Sequence, residues 1–149
     1  MTAVTTVIRE DDFVESVSTA LQFISVFHPA DYVRHLALAY RRERSPEAKD
    51  AIAQILINSR MAALGRRPMC QDTGMVNAWV RVGMNARIDT AQSIDDLVNA
   101  GVRRAWRDAA NPLRASIVGD PLFTRLNTRD NAPAVVHTSL CPGDTITVS

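Results

Sequence analysis

The sequence contains very little cysteine: two in 149 residues, Cys70 and Cys141. Two cysteines 71 positions apart match no zinc-site spacing, and they are too few for the disulfide framework of a small secreted domain. We therefore expect a reducing, cytoplasmic environment in which the two thiols are not joined.

An excess of one charge and a long apolar run are also missing. The formal net charge is +1, which indicates neither a nucleic-acid surface nor a membrane surface as a partner. The sequence contains no run of about 18 apolar residues, so it predicts no membrane-spanning helix. The opening stretch, MTAVTTVIREDDFVESV, has acidic residues where a signal peptide needs an apolar block, so secretion is not expected.

Apolar residues at spacings of three and four predict four helices, three of them in the first half of the chain. The first covers residues 10 to 27, and the second follows Pro29 and ends in the basic run RRER. Ser45-Pro46-Glu47 is a start signal for the third helix. Ser93 starts the fourth, with Asp96 three residues later as its partner in a capping box.

Strand patterns appear in the second half. Residues 75–83, MVNAWVRVG, alternate between apolar and other side chains and predict a strand with one buried face. AVVHTSL and TITVS flank CPGD, where Pro142-Gly143 suits a type II turn, and we interpret them as a hairpin. The element order lacks the alternation of a doubly wound parallel sheet. The predicted class is α+β, with a mainly helical N-terminal half and a small sheet or hairpin in the C-terminal half.

The stretch Cys70 to Gly74, CQDTG, is a candidate site. Gly65 is predicted to end the third helix and Pro68 prevents its continuation, so the stretch should be a loop between a helix and a strand. A thiol can bind a soft metal or act as a nucleophile, Gln71 can donate and accept, and Asp72 adds a charge. The same residues also suit a plain turn beside a buried cysteine.

Two other chemistries involve residues found in this loop. Asp-Thr-Gly is the motif of aspartic proteases, but those enzymes place it in an all-β lobe, and the surroundings here are helical. A cysteine nucleophile needs a histidine as its base. The chain offers His28, His35 and His137, and the sequence pairs none of them with Cys70.

The segment RPMCQDTG resembles the cluster-binding motif of the class I fumarases, the iron–sulfur fumarate hydratases, and of the alpha subunits of tartrate dehydratases. The longer stretch SPEAKDAIAQILINSRMAALGRRPMCQDTG is similar to this family too. So are GVRRAW, NPLRAS and NTRDNAPAVVHTSLCPGD, in order and at fitting spacings. The opening DDFVESVSTALQFISVFHP resembles the start of the single-chain class I enzymes, so the resemblance covers nearly the whole chain.

The resemblance implies a hydro-lyase that reversibly hydrates fumarate to L-malate, with a [4Fe–4S] cluster as Lewis acid. Three cysteines hold the cluster in this family, and the first of them corresponds to Cys70. The family's substrate-binding residues correspond to Gln71, Asp72 and Arg114, the last of which lies in NPLRAS. The family's catalytic residue corresponds to Asp72. A guanidinium suits a dicarboxylate because it can bind one carboxylate through two hydrogen bonds.

The same comparison implies what residues 1–149 lack. Cys141 lies where the family usually has an aliphatic residue, so it is not expected to be a ligand, and the other two cluster cysteines are expected outside this chain. Arg129 stands where Gly or Lys is usual and is expected to be peripheral. We expect an N-terminal fragment of the family's cluster-binding domain, without the rest of that domain and the C-terminal domain. Alone it would be inactive and would hold no stable cluster.

Two further functions stay open at this point. The parent could be a tartrate dehydratase of the alpha type, against which the long helical N-terminus argues weakly. The chain could also be a non-catalytic helical interaction module, which a solvent-facing Cys70-Gln71-Asp72 loop would argue against. As partners, the resemblance implies a small dicarboxylate, no nucleic acid, no membrane, and a homodimer in the full-length form.

Overall fold

The computed structural model describes residues 6–71 and 74–149 and shows the predicted α+β fold. The helices in these ranges are α1 (Glu10–Val26), α2 (Ala30–Arg42), α3 (Pro46–Gly65) and α4 (Ile94–Trp106). The strands are β1 (Thr6–Arg9), β2 (Asn77–Gly83), β3 (Ala86–Asp89), β4 (Val135–Cys141) and β5 (Ile146–Val148). Each predicted helix is confirmed, and so is the strand predicted in residues 75–83.

The predicted helix starts are confirmed by their capping hydrogen bonds. The Ser45 hydroxyl accepts the Ala48 N–H at 3.3 Å, and proline occupies the first turn of α3. At α4, the Ser93 hydroxyl accepts the Asp96 N–H at 3.1 Å, and the Asp96 carboxylate accepts the Ser93 N–H at 3.4 Å. This reciprocal pair is a capping box, and it satisfies backbone donors that a helix start otherwise leaves unpaired.

The chain divides into two compact units. The first consists of residues 1–21 and 72–149, and the second of Gln22–Gln71. Helix α1 contributes its first part to one unit and its last residues to the other.

In the first unit, the sheet topology corrects the predicted hairpin. Strands β4 and β5 do not pair with each other: the order is β4-β2-β5, with β4 parallel and β5 antiparallel to β2. Strands β1 and β3, which the sequence analysis missed, form a separate parallel pair. Four residues are too few for a clear period-two pattern, which explains why these two strands were missed.

Gly83 explains how the chain passes from one side of β2 to the other. The Gly83 N–H donates to the Thr145 carbonyl at 2.8 Å, and the Asn85 N–H donates to the Gly143 carbonyl at 2.8 Å. A Cβ at Gly83 would lie 2.6 Å from the Gly143 oxygen and 2.8 Å from the Thr145 oxygen. The β4–β5 connection therefore folds tightly over the end of β2, and only glycine fits beneath it.

The core of the first unit lies among α1, α4 and the three-stranded sheet. Its buried apolar side chains are Phe13, Val14, Val17, Ala78, Val80, Leu97, Val98, Val102, Ala105, Trp106, Leu113 and Ala132. Helices α1 and α4 approach closely at Gly101, where an added Cβ would lie 2.6 Å from the Val17 side chain. The apolar stripe predicted for α4 is thus its buried face.

The second unit is helical. Helix α2 has no buried residue and packs beside α3, where the Lys49 ammonium lies 5.0 Å from the centre of the Tyr40 ring. Across the described ranges, none of the helices combines the length and apolarity needed to span a bilayer.

Candidate active site

The first half of the motif loop is anchored within the second unit. Helix α3 ends at Gly65, and Arg66 follows in the left-handed region with φ 50°. The Met69 N–H donates to the Ser25 carbonyl at 2.9 Å, and the Asn58 side-chain amide donates to the Met69 carbonyl at 2.9 Å. The residue directly before Cys70 is therefore held by hydrogen bonds to both α1 and α3.

The two described polar residues of the motif are exposed. Cys70 is an exposed thiol, and the Gln71 side chain also faces solvent. Cys141, the other cysteine, is half-buried and also a thiol. Asp72, the predicted catalytic residue, lies outside the described residues, and so does Thr73.

A groove of about 460 Å³ lies beside this anchored stretch, within the second unit. Its walls come from the last turns of α3 and from the residues that follow, with Asn58, Arg67 and Pro68 among them. The Arg66 guanidinium lies 5.2 Å from the centre of the Phe27 ring and makes a cation–π contact with it.

The second half of the motif belongs to the first unit. Gly74 has φ +60°, a conformation that glycine adopts without steric cost, and the space where its Cβ would stand is open. The Gly74 carbonyl accepts a hydrogen bond from the side-chain amide of Asn131 at 2.9 Å. The loop is thus attached at this end to a residue 57 positions later.

Arg114, the predicted substrate-binding arginine, has a fixed backbone and an exposed side chain. The preceding residue, Leu113, is buried in the core, and the Trp106 indole N–H donates to the Arg114 carbonyl at 3.2 Å. The backbone before and at Arg114 is therefore tied to the end of α4. This arrangement leaves the guanidinium on the protein surface.

Residues 115–128 form a ribbon directly after Arg114. Gly119 N–H donates to the Leu126 carbonyl at 2.9 Å, and Thr128 N–H donates to the Ile117 carbonyl at 2.9 Å. The turn at its tip is capped by the Asp120 carboxylate. Backbone N–H donors, that of Thr124 foremost, lower the pKa of Asp120 below its ordinary value because they stabilise the charged form.

Sequence reasoning missed Asn131, which joins these parts of the first unit. Its side chain is 0% exposed. The amide oxygen accepts the N–H groups of Ser116 at 2.7 Å and Ile117 at 3.3 Å, while its amide nitrogen donates to Gly74. The sequence contains a signal that could have pointed here, a dense run of turn-forming polar residues, NTRDN, ahead of Pro133.

The structure thus brings three parts together in one unit: Gly74, Asn131, and the segment that follows Arg114. Cys70 and Gln71 belong to the other unit. Within residues 6–71 and 74–149, no cluster of three His, Cys, Asp or Glu side chains could hold a metal ion.

Each of the three histidines lies against another described residue. The His137 ring stacks on Trp79 with ring centres 5.2 Å apart and an angle of 16° between the planes. His35 lies in α2, with Nδ1 2.9 Å from the Asp31 carbonyl oxygen, and the His28 ring lies against Tyr32. These contacts are structural in kind and give no support to a cysteine–histidine nucleophile.

Comparison with known proteins places this geometry in context. The family model described as fumarate hydratase (Fumerase) matches residues 14–149. The chain is also 31% identical over 107 residues to a protein of Methanocaldococcus jannaschii named "Putative L(+)-tartrate dehydratase subunit alpha". That alignment covers 72% of this chain and 36% of the relative, so the chain spans well under half of the relative's length.

Proposed function

Because the chain belongs to the fumarate hydratase (Fumerase) family, we propose that it forms part of a hydro-lyase that reversibly hydrates fumarate to L-malate. The observation that carries this proposal is the family match over residues 14–149, which includes the whole CQDTG motif and Arg114. The matched region also contains the hydrogen-bonded ribbon and Asn131.

Cys70 is proposed as one ligand of an iron–sulfur cluster. Its thiol is exposed, and the backbone just before it is held by hydrogen bonds, which suits a ligand. The sequence has one other cysteine, Cys141 in β4, so the remaining ligands would come from residues outside 1–149. When bound, a [4Fe–4S] cluster with one open iron would supply Lewis-acid polarisation of the substrate hydroxyl.

Gln71, Asp72 and Arg114 are proposed to bind the substrate. Gln71 offers both a donor and an acceptor, and Asp72 offers a carboxylate that could take part in the chemistry. Arg114 would bind a substrate carboxylate through two parallel N–H donors, and its exposed side chain on a fixed backbone supports that role.

Dehydration of L(+)-tartrate is the second candidate function. It is supported by the name of the Methanocaldococcus jannaschii relative, which is 31% identical over the aligned segment. Fumarate and tartrate are both four-carbon dicarboxylates, so the same arginine could serve either substrate.

The test is an assay of the full-length, anaerobically reconstituted protein with fumarate, L-malate and L(+)-tartrate. Interconversion of fumarate and malate is the expected result. Turnover of tartrate alone would support the second candidate. Cys70→Ala, which removes the proposed ligand, serves as the inactive control.

A non-catalytic interaction module is the third possibility, and the exposure of Cys70 and Gln71 argues against it. Binding partners of such a module would be proteins, whereas the proposed hydro-lyase takes a small dicarboxylate. We also propose a homodimeric full-length form in the cytoplasm. Size-exclusion chromatography with light scattering tests the first of these, and cell fractionation tests the second.

A further inference from the structure

The side chain of Asn131 is a buried amide between two segments that the proposed function assigns to the substrate site. One segment is the motif loop, which ends at Gly74, and the other begins at Arg114. Asn131 is 0% exposed and forms hydrogen bonds to both. It therefore links the two segments directly.

The oxygen and the nitrogen of this amide form hydrogen bonds with different segments. The oxygen accepts the N–H groups of Ser116 at 2.7 Å and Ile117 at 3.3 Å. The nitrogen donates to the Gly74 carbonyl at 2.9 Å. Only a side chain that both accepts and donates can make these bonds, and among short side chains the amide of asparagine does so in a fixed plane.

The backbone at this position restricts the choice further. Asn131 has φ 58°, a left-handed conformation that asparagine and glycine adopt more easily than other residues. Glycine would fit the backbone but has no side chain. Aspartate would fit the space and accept from Ser116 and Ile117, but when ionised it cannot donate to Gly74.

We propose that Asn131 is a positioning residue that sets the separation between the Gly74 end of the motif loop and the segment after Arg114. This inference rests on the proposed function, in which Asp72, two residues before Gly74, and Arg114 act on one dicarboxylate. Asn131 does not touch substrate. It links the end of the motif loop, at Gly74, to the segment that follows Arg114.

The segment on the Arg114 side is held by its own contacts, so its hydrogen bonds to Asn131 can position the motif loop. The Trp106 indole N–H donates to the Arg114 carbonyl at 3.2 Å, and Leu113, the residue before it, is buried in the core. A connection between a fixed segment and a loop transmits position to the loop, because the fixed side does not yield.

The decisive variant is Asn131→Asp in the full-length protein. It keeps the size and the acceptor for Ser116 and Ile117 and removes the donor to Gly74. The matched control is Asn127→Asp, which likewise removes an amide donor to a backbone carbonyl, that of Ala115. The control disturbs the ribbon but leaves the link to Gly74 in place.

The first measurement is hydrogen–deuterium exchange. Peptides that cover Cys70–Met75 are expected to exchange about tenfold faster in Asn131→Asp than in wild type, as the loss of one buried hydrogen bond implies. In Asn127→Asp the same peptides should be unchanged. Equal exchange of this loop in Asn131→Asp and wild type would overturn the proposal. Should Asn131→Asp not fold, Asn131→Gly, which suits φ 58°, takes its place under the same criteria.

The second measurement is kcat and KM, determined separately for the acid that the wild-type protein turns over. A variant that is merely less folded lowers the apparent kcat and leaves KM unchanged. Loss of positioning is expected to raise KM about tenfold in Asn131→Asp and not in Asn127→Asp. An unchanged KM together with faster loop exchange would show a structural link without a role in substrate geometry, and would overturn the positioning role.

The experiments distinguish failure of the proposed function from failure of the proposed role of Asn131. If the wild-type protein turns over neither acid, the proposed function is wrong. The exchange experiment would still decide whether Asn131 holds the motif loop.

Discussion

At the scale of single residues, the two cysteines have different surroundings. Cys70 is exposed in a loop anchored through Met69, whereas Cys141 is half-buried at the end of β4. In the full-length protein, Cys70→Ala is expected to lose the visible absorption of the reconstituted cluster, and Cys141→Val to keep it. Loss of the spectrum in Cys141→Val, with the protein still folded by circular dichroism, would contradict the proposed ligand assignment.

Arg114 is the second residue that carries a prediction. Arg114→Lys keeps the positive charge but loses the planar pair of donors, so we expect kcat/KM for the dicarboxylate to fall by about 10- to 100-fold. The cluster spectrum should stay intact. Arg34→Lys, a change of the same type on the exposed surface of α2, is the control and should have wild-type kinetics. Unchanged kinetics in Arg114→Lys would remove this residue from the proposed site.

Arg129 lies in the left-handed region, with φ 66°. Glycine adopts this conformation at no steric cost, while arginine adopts it with some strain.

At the scale of elements, the crossing of the β4–β5 connection over β2 depends on Gly83. Gly83→Ala places a Cβ 2.6 Å from the Gly143 oxygen, so we expect the free energy of unfolding to fall by about 1–3 kcal/mol. Gly119→Ala is the control, since its nearest atoms would lie 3.9 Å away. Urea unfolding of both variants measures the difference. Equal stability of the two would mean that the connection over β2 is looser than the structure shows.

The start of α4 has a pH dependence that follows from its capping box. The hydrogen bond from the Ser93 side chain, and then that from the Ser93 backbone, lower the pKa of Asp96 below its ordinary value of 3.8. A lowered pKa in the folded state means that ionised Asp96 stabilises the fold above the unfolded pKa. This stabilisation is lost as pH falls through the folded pKa.

Asp96→Asn should therefore be less stable than wild type at neutral pH, and the difference should shrink as the pH falls below about 4. Asp95→Asn removes the same charge from the same helix turn without touching the capping box and serves as the control. Thermal unfolding across this pH range measures both variants. A stability difference independent of pH would show that the Asp96 charge does not contribute.

Among the elements, local signals and long-range pairing differ in how well they could be predicted. The helix limits at Ser45 and Ser93 were predicted because capping depends on residues within one turn. The strand character of β4 and β5 was also predicted, because it depends on the residues within each short segment. Their partner was not, because a period-two pattern carries no information on which strand lies alongside.

At the scale of the whole molecule, residues 1–149 supply one proposed cluster ligand. One thiolate does not replace several converging ones, so anaerobic reconstitution of this chain alone should not produce the broad visible absorption of a [4Fe–4S] protein. The full-length protein, reconstituted in parallel, is the positive control. A stable four-iron cluster on monomeric residues 1–149 would contradict the assignment of Cys70 as the ligand this segment provides.

The sequence by itself determined the α+β class, the four helices, the loop after α3 and the family to which the chain belongs. Those properties are encoded locally, in the periodicity of apolar residues, in caps such as Ser93, and in one short motif around Cys70. The central place of β2 in its sheet and the link from Asn131 to Gly74 were decided only by the tertiary structure. They join residues at least 57 positions apart, and such contacts form only when distant segments bury a shared surface and satisfy each other's hydrogen bonds.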